Sequence, residues 1–260
     1  MQQKTETFES IIESFQYKHD LRSVFDDFLT MTLCAFSFNP LTGKSQQEEL
    51  YLETIAKYKK EEGLKFPNLL ATLTNEMEER LSDSQGNDVL GDYYGNYLYR
   101  KGAQQYFTPW HVCMFMAECA CGESKKVEQE KPLRILDPCC GSGRMLLASG
   151  RINGPRHEYY GIDIDSTCVK MTAINLFLNG MFHSEVMCAD ALVPEDFNFS
   201  YRISFLPFGI FKVEKKEDSL LWHLSKESFK KPVPENDLVL PSEEQNRNKN
   251  SQESAQLTFF

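Results

Sequence analysis

One stretch constrains the fold of this chain more than any other. Residues 133–136 (Leu-Arg-Ile-Leu) form a short apolar run that is typical of a buried strand. The run ends at Asp137 and Pro138, and a proline at this point stops further strand pairing. Residues 141–143 (Gly-Ser-Gly) form a turn that lets the backbone approach a ligand, and residues 145–148 begin a helix. The stretch therefore predicts the first strand, turn and helix of a nucleotide-binding α/β domain.

The composition is that of an ordinary folded protein. The chain has 260 residues, of which 41% are hydrophobic and 25% are charged, enough for one large domain or two small ones. No apolar stretch approaches the roughly 18 residues of a membrane span, and the N-terminus has no signal-peptide pattern. We therefore expect a cytoplasmic protein whose eight scattered cysteines are reduced thiols rather than disulfides or metal ligands.

The residue pattern divides the chain into three parts. Residues 1–100 are acidic, with apolar residues at helical spacing from residue 8 onward, and predict an N-terminal helical subdomain. Packing on the next domain is the simpler role for this subdomain, and a partner-binding bundle is the alternative. Residues 101–211 predict the nucleotide-binding domain. Residues 212–260 are polar and predict a mobile tail, apart from an amphipathic helix at residues 220–224.

Three acids follow strands of the predicted sheet. We predict four strands, at residues 133–136, 158–163, 185–188 and 201–205. Because helical patterns alternate with these strands, the sequence predicts a parallel sheet with right-handed crossovers. Asp137, Asp163 and Asp190 then share the carboxyl edge of the sheet, where ligands bind in such folds.

The acids indicate the charge of the ligand. An acid at the end of the second strand, here Asp163, is well placed to hold ribose hydroxyls. Carboxylates repel phosphate but attract a sulfonium cation, so the residues favour S-adenosylmethionine as cofactor. Asp165 is instead expected to cap a helix. Thr108 and Pro109 are predicted to open another helix, as its N-cap and its first residue.

Four short motifs resemble those of a known family. Residues 107–109 (Phe-Thr-Pro), 137–143 (Asp-Pro-Cys-Cys-Gly-Ser-Gly), 161–165 and 190–192 are similar to consecutive motifs of adenine-N6 DNA methyltransferases. The similarity is strongest to the modification subunits of type I restriction-modification systems and covers roughly residues 100–211. It implies a Rossmann-like, S-adenosylmethionine-dependent methyltransferase fold of the α/β class with an N-terminal helical subdomain.

The resemblance also implies a set of cofactor-binding residues. By it, residues 108–109 lie near the methionine moiety and Asp163 binds the ribose hydroxyls. Asp190 contacts the adenine amino group, with Ala191 or Leu192 beside the ring. The matching residues are Thr108, Pro109, Asp137, Pro138, Gly141, Ser142, Gly143, Asp163, Ile164, Asp190 and Ala191.

The catalytic tetrad of the family is altered here. In the family, an asparagine-proline-proline-aromatic run follows the fourth strand. Its asparagine accepts a hydrogen bond from the flipped adenine, and its aromatic ring stacks on the base. Pro207 and Phe208 match this run, but Phe205 and Leu206 replace the asparagine and the first proline, and phenylalanine has no acceptor. The pattern fits either an enzyme whose acceptor comes from a shifted loop or partner chain, or a non-catalytic cofactor-binding or interaction protein.

Partners are indicated by the charge and by the last residues. With a net charge of -10 the chain as a whole repels DNA, so we expect DNA recognition to need a partner subunit. The last five residues resemble peptides that bind bacterial sliding clamps, with an edge strand or a disordered end as the alternatives. These residues are Gln256, Leu257, Thr258, Phe259 and Phe260.

Overall fold

The structure, a computed structural model, describes residues 6–39, 43–82, 86–98, 107–121, 132–193, 195–230 and 258–259. Within these residues a layer of helices packs on a mixed β-sheet, which makes an α/β fold. No helix of this part is both long enough and apolar enough to cross a membrane.

The N-terminal part is helical, as predicted. Thr7 and Asp20 accept backbone hydrogen bonds at the starts of the first two helices, which is the usual task of an N-cap. A 3-10 turn at Arg80–Ser82 precedes the sixth helix, and a π-helical turn at Tyr94–Leu98 follows it. The elements are α1 Phe8–Glu13, α2 Leu21–Ala35, β1 Phe38–Asn39, β2 Lys44–Ser45, α3 Glu48–Ile55, α4 Lys60–Gly63, α5 Lys65–Glu79 and α6 Val89–Tyr93.

The remaining elements form the sheet and the helices that cover it. A short 3-10 helix, Lys216–Asp218, precedes the last α-helix. The elements are α7 Trp110–Cys121, β3 Arg134–Asp137, α8 Arg144–Asn153, β4 Glu158–Asp163, α9 Ser166–Leu178, β5 Ser184–Cys188, β6 Phe199–Phe205, β7 Phe208–Val213, α10 Leu220–Lys230 and β8 Thr258–Phe259.

The sheet has the strand order β7-β6-β5-β4-β3-β8. Strands β8, β3, β4 and β5 run parallel, whereas β6 and β7 are antiparallel to their neighbours. One hydrophobic core joins the helical layer to one face of the sheet, with Phe25 and Leu73 from the helices and Tyr159 and Ile174 from the sheet domain. The helical layer therefore packs directly on the sheet domain.

The parallel orientation predicted for the fourth strand is wrong. Strand β6 pairs antiparallel with β5, with Phe199 opposite Cys188, and returns through a tight hairpin into β7. The short connection between β5 and β6 explains why β6 runs antiparallel to β5. Residues 189–198 are too few for a parallel crossover, which needs about a dozen residues or more and usually a helix.

The structure continues beyond the boundary predicted at residue 212, and the amphipathic helix predicted at residues 220–224 forms part of α10. Strand β7 continues to Val213, and α10 buries Leu221 and Trp222 against the second face of the sheet. A helix with two large apolar side chains can cover a sheet face that is otherwise exposed, so this segment belongs to the fold. Further on, Thr258–Phe259 pairs with β3, which matches the predicted edge strand, while residues 256, 257 and 260 lie outside the described part.

Candidate functional site

A cavity of about 630 Å³ lies at the carboxyl edge of β3, β4 and β5. It brings together nine of the eleven residues predicted to bind the cofactor. Of the other two, Pro109 accepts the first backbone hydrogen bonds of α7, and Gly143 immediately precedes α8. The nine are Thr108, Asp137, Pro138, Gly141, Ser142, Asp163, Ile164, Asp190 and Ala191.

The turn between β3 and α8 depends on its glycines. Gly141 and Gly143 have φ angles of +55° and +84°, which side chains with a Cβ rarely adopt. A Cβ on Gly141 would lie 2.8 Å from the Phe107 ring, and a Cβ on Gly143 would lie 2.8 Å from Cγ2 of Thr172. The backbone N–H of Gly143 donates to the carbonyl of Cys140 at 2.7 Å and closes the turn. The turn therefore fits tightly between its neighbours and exposes backbone to the cavity.

Asp163 is fixed at the cavity by backbone donors. Its Oδ2 accepts from the Gly141 N–H at 2.8 Å, and its Oδ1 accepts from the Asp165 N–H at 2.9 Å. Each oxygen keeps lone-pair capacity for a further donor. Asp165 accepts from the Thr167 N–H at 2.8 Å and acts as the N-cap of α9, as expected from the sequence.

The three strand-end acids make the cavity electronegative. Asp137 is 7% exposed and accepts one hydrogen bond, from the Cys139 N–H at 3.1 Å. Burial raises the pKa of Asp137 to about 6, and burial also raises the pKa of Asp163. Burial raises the pKa of the Cys139 thiol as well, and the charges of Asp137, Asp163 and Asp190 add to that rise. The cavity thus favours a positively charged ligand.

A buried carboxylate that the sequence pattern did not indicate holds this cavity in place. Asp88, at 1% exposure, caps α6 through the Gly91 N–H at 2.9 Å. Its Oδ2 accepts from Ser142 Oγ at 2.5 Å and from Arg144 Nε at 2.9 Å, and its Oδ1 accepts from Asn175 Nδ2 at 2.8 Å. Asp88 therefore ties the helical layer to the glycine turn, to the start of α8 and to α9.

Arg144 extends this network toward the loop that carries Thr108. Its Nη2 donates to Asp92 at 2.7 Å and its Nη1 donates to the Thr108 carbonyl at 3.4 Å. Although Arg144 lines the cavity, its charge is paired with Asp88 and Asp92 and does not neutralise the strand-end acids. Arg144 thus positions two walls of the cavity without cancelling its negative potential.

Gly91 is the signal from which this network could have been inferred. A glycine inside a helix is unfavourable, so its presence indicates a close contact. A Cβ at Gly91 would overlap with the Asp88 carboxylate and the Ser142 hydroxyl. An aspartate three residues before a glycine in a helix therefore indicates that the start of the helix packs tightly against another part of the chain.

The residues assigned to the catalytic tetrad do not reach the cavity. Leu206 and Pro207 form the tip of the β6–β7 hairpin, with Phe205 paired to Phe208. Because Ile203 of β6 already lies opposite Ser184 at the start of β5, this tip lies at the amino edge of the parallel strands. The rings of Phe205 and Phe208 each lie 5.5 Å from the ring of Phe182. Pro207 and Phe208, which the sequence assigns to the catalytic tetrad, therefore lie away from the cavity, because β6 runs antiparallel.

Comparison with known families fits this arrangement. Residues 85–236 match the family described as N-6 DNA methylase, which is more than half of the chain. The chain belongs to the N-6 DNA methylase family. This membership confirms the family predicted from the motifs, and the matched region begins early enough to include Asp88 and Gly91.

Individual relatives are more distant. The type II restriction enzyme and methyltransferase RM.BcgI of Heyndrickxia coagulans is 26% identical over 126 residues, which cover 42% of this chain and 19% of that protein. The chain thus spans about a fifth of the length of this relative. The methyltransferase subunit of a type I restriction-modification system from Streptococcus thermophilus is 15% identical, with a TM-score of 0.33 over 70% of this chain and 58% of that chain. A protein of Listeria monocytogenes assigned to the class I S-adenosylmethionine-dependent methyltransferases is 19% identical, with a TM-score of 0.32 over 60% and 51%.

Proposed function

We propose that this member of the N-6 DNA methylase family binds S-adenosylmethionine in the cavity at the carboxyl edge of β3, β4 and β5. The observation that carries the proposal is the convergence of three strand-end carboxylates on one cavity whose own arginine is already paired. The cofactor bears a sulfonium and an ammonium group, and neither of its ends carries a phosphate. The charge of the cavity and the charge of the cofactor therefore match.

The cavity residues divide between the parts of the cofactor. Asp163, held by two backbone donors, is the proposed acceptor for the ribose hydroxyls. Asp137 is the proposed partner of the ammonium group, beside the backbone of the glycine turn and Thr108. Asp190 is the proposed partner of the adenine amino group, and Ile164 and Ala191 line the cavity near it.

The bound cofactor would supply a methyl group for transfer to the amino nitrogen of adenine in DNA, the reaction class of the family. An acceptor must hold that amino group beside the methyl, and the β6–β7 hairpin lies at the wrong edge to provide one. The net charge of -10 also disfavours DNA binding by this chain alone. We therefore propose that the chain alone holds the cofactor without transferring the methyl group, and that transfer needs a partner subunit that supplies the acceptor and the DNA contacts.

Calorimetric titration with S-adenosylmethionine tests the binding step. We expect one site in the wild-type chain, and a loss of affinity of at least about tenfold in Asp163→Ala, because a charged hydrogen-bonding partner is removed. Asp218→Asn, at an exposed acid outside the cavity, is the matched control and should bind as the wild type does. Equal binding by Asp163→Ala and the wild type would contradict the proposed site.

A methylation assay tests the second step. The chain is incubated with labelled cofactor and adenine-containing duplex DNA, and label in the DNA is counted. We expect no incorporation above that of a reaction without protein. Incorporation by the purified chain would refute the need for a partner and would make the non-catalytic alternative untenable.

A sliding clamp is a further candidate partner, through residues 256–260. Two residues of this peptide, Thr258–Phe259, form β8 and pair with β3. Clamp binding would therefore require β8 to leave the sheet. Deletion of residues 256–260 should abolish capture of the chain by an immobilised clamp, and undiminished capture would dismiss this partner.

A further inference from the structure

The methionine end of S-adenosylmethionine carries two opposite charges on one carbon atom. Its ammonium group suits the acids at the carboxyl edge of the sheet, and Asp137 is its proposed partner. Its carboxylate is the opposite case, because Asp137, Asp163 and Asp190 repel an anion. A cavity that takes this cofactor therefore needs a separate donor for the carboxylate.

Arg144 is the only cationic side chain among the described residues that line this cavity. Arginine has five N–H donors in a planar fork that matches the geometry of a carboxylate. Three of these donors contact described residues, namely Asp88 at 2.9 Å, Asp92 at 2.7 Å and the Thr108 carbonyl at a weak 3.4 Å. The guanidinium of Arg144 therefore keeps donor capacity for a ligand.

The charges around Arg144 are balanced in pairs. Asp92 also accepts from Arg80 Nη1 at 2.7 Å, so two guanidinium groups face the two carboxylates of Asp88 and Asp92. Asp88 is further satisfied by three neutral donors from the backbone and from polar side chains. A carboxylate that approaches Arg144 therefore meets a compensated cluster rather than an excess of negative charge.

The start of α8 is a second feature that favours an anion here. Arg144 and Met145 are the first residues of this ten-residue helix, and both line the cavity. Gly143 stands at the N-cap, and no side chain of the described residues caps the helix there. The first N–H groups of a helix have no partner within the helix and attract negative charge. The backbone and the guanidinium therefore offer donors to the same part of the cavity.

Asp137 and Arg144 lie at the two ends of one turn, at the end of β3 and at the start of α8. The Cys113 thiol, which also lines the cavity, is within electrostatic reach of both charges. Burial raises the pKa of this thiol to about 12, the charge of Arg144 opposes the rise, and the charges of Asp88 and Asp137 add to it. An anionic and a cationic group thus flank one end of the cavity, which matches the ammonium and carboxylate groups of an α-amino acid.

We propose that Arg144 selects the methionine carboxylate of the cofactor, an inference that rests on the proposed binding of S-adenosylmethionine in this cavity. The remaining N–H donors of Arg144 and the first amides of α8 hold the carboxylate, while Asp137 holds the ammonium group on the same carbon. Without such a contact, the acids of the cavity would favour the decarboxylated form of the cofactor, which carries one more net positive charge.

Titration calorimetry of the full chain at pH 7 compares S-adenosylmethionine with its decarboxylated form, which keeps the adenosine, sulfonium and ammonium groups. We expect the wild type to bind S-adenosylmethionine at least about tenfold more tightly, the usual effect of a hydrogen bond between charged groups. Arg144→Gln should lose this preference. Because both ligands are titrated into the same variant, the ratio of their affinities does not depend on how much of that variant is folded.

Arg80→Gln is the matched control, because Arg80 also pairs with Asp92 but does not line the cavity. This variant should keep the wild-type preference. An unchanged ratio in Arg144→Gln would show that the guanidinium does not contact the carboxylate, and an equal loss in Arg80→Gln would show an effect of the ion pairs alone. A wild type that binds both ligands equally would overturn the role of Arg144 only, whereas a wild type that binds neither ligand would overturn the proposed function as well.

Discussion

The carboxyl group of Asp137 links the pH of the solution to both stability and ligand binding. The pKa of this buried group is raised from 3.8 to about 6, chiefly by burial. The folded protein therefore holds the proton more tightly than the unfolded chain does, and the ionised form weakens the fold. This penalty is absent below pH 3.8, grows as the pH rises from 3.8 to 6, and is complete above pH 6.

The size of the effect follows from the shift. A difference of about two pKa units corresponds to about 3 kcal/mol at pH 7, as an upper estimate. Asp137→Asn removes the ionisable group and keeps an oxygen for the Cys139 N–H. We therefore expect the variant to be more stable than the wild type by up to about 3 kcal/mol at pH 7, and about equally stable at pH 4.

Urea unfolding from pH 4 to pH 8 measures this difference, and calorimetry with S-adenosylmethionine measures the binding. Affinity should change in the opposite direction from stability: Asp137→Asn should bind at least about tenfold more weakly at pH 7, and wild-type affinity should fall as the pH drops below about 6. A stability difference that does not depend on pH would show that burial does not raise the pKa of Asp137. A variant that binds as tightly as the wild type would refute its role as the partner of a cation.

Three other substitutions test the structure. Gly91→Ala should destabilise the fold by roughly 1–3 kcal/mol in urea unfolding, because its methyl group overlaps the Asp88 carboxylate. Asp88→Asn should cost about 3 kcal/mol in the same assay, since Arg144 loses the ionised partner of a buried pair; a cost below about 1 kcal/mol would contradict the network. Phe205→Asn combined with Leu206→Pro should produce no methylation of DNA, because both positions lie at the edge opposite the cavity.

The parts of the site that are local in sequence were predictable. A strand that ends in an acid and is followed by a glycine turn can be recognised from about fifteen consecutive residues. The carboxyl ends of parallel strands also meet at one edge of the sheet. Asp137, Asp163 and Asp190 can therefore be assigned to one site from the sequence alone. Their common cavity follows from the parallel pairing of β3, β4 and β5.

The parts that depend on distant contacts were not predictable in the same way. An apolar strand such as β6 has the same alternation in either direction, and the connection at residues 189–198 was its main clue to an antiparallel course. Asp88 reaches Ser142 and Asn175 across 54 and 87 positions of the sequence. Gly91 indicates a close contact at the start of α6, but no local pattern specifies which distant residues make that contact.

The pairing of β8 with β3 has a consequence for the nascent chain. Ile135 leaves the ribosome long before its partner Thr258, and about 120 residues must be added in between. At roughly 5–20 residues per second, the outer edge of β3 stays uncovered for on the order of 10 s. An uncovered strand edge is a template on which other chains can add. Slow translation lengthens that window, so aggregation during synthesis should depend on codon usage between the two strands.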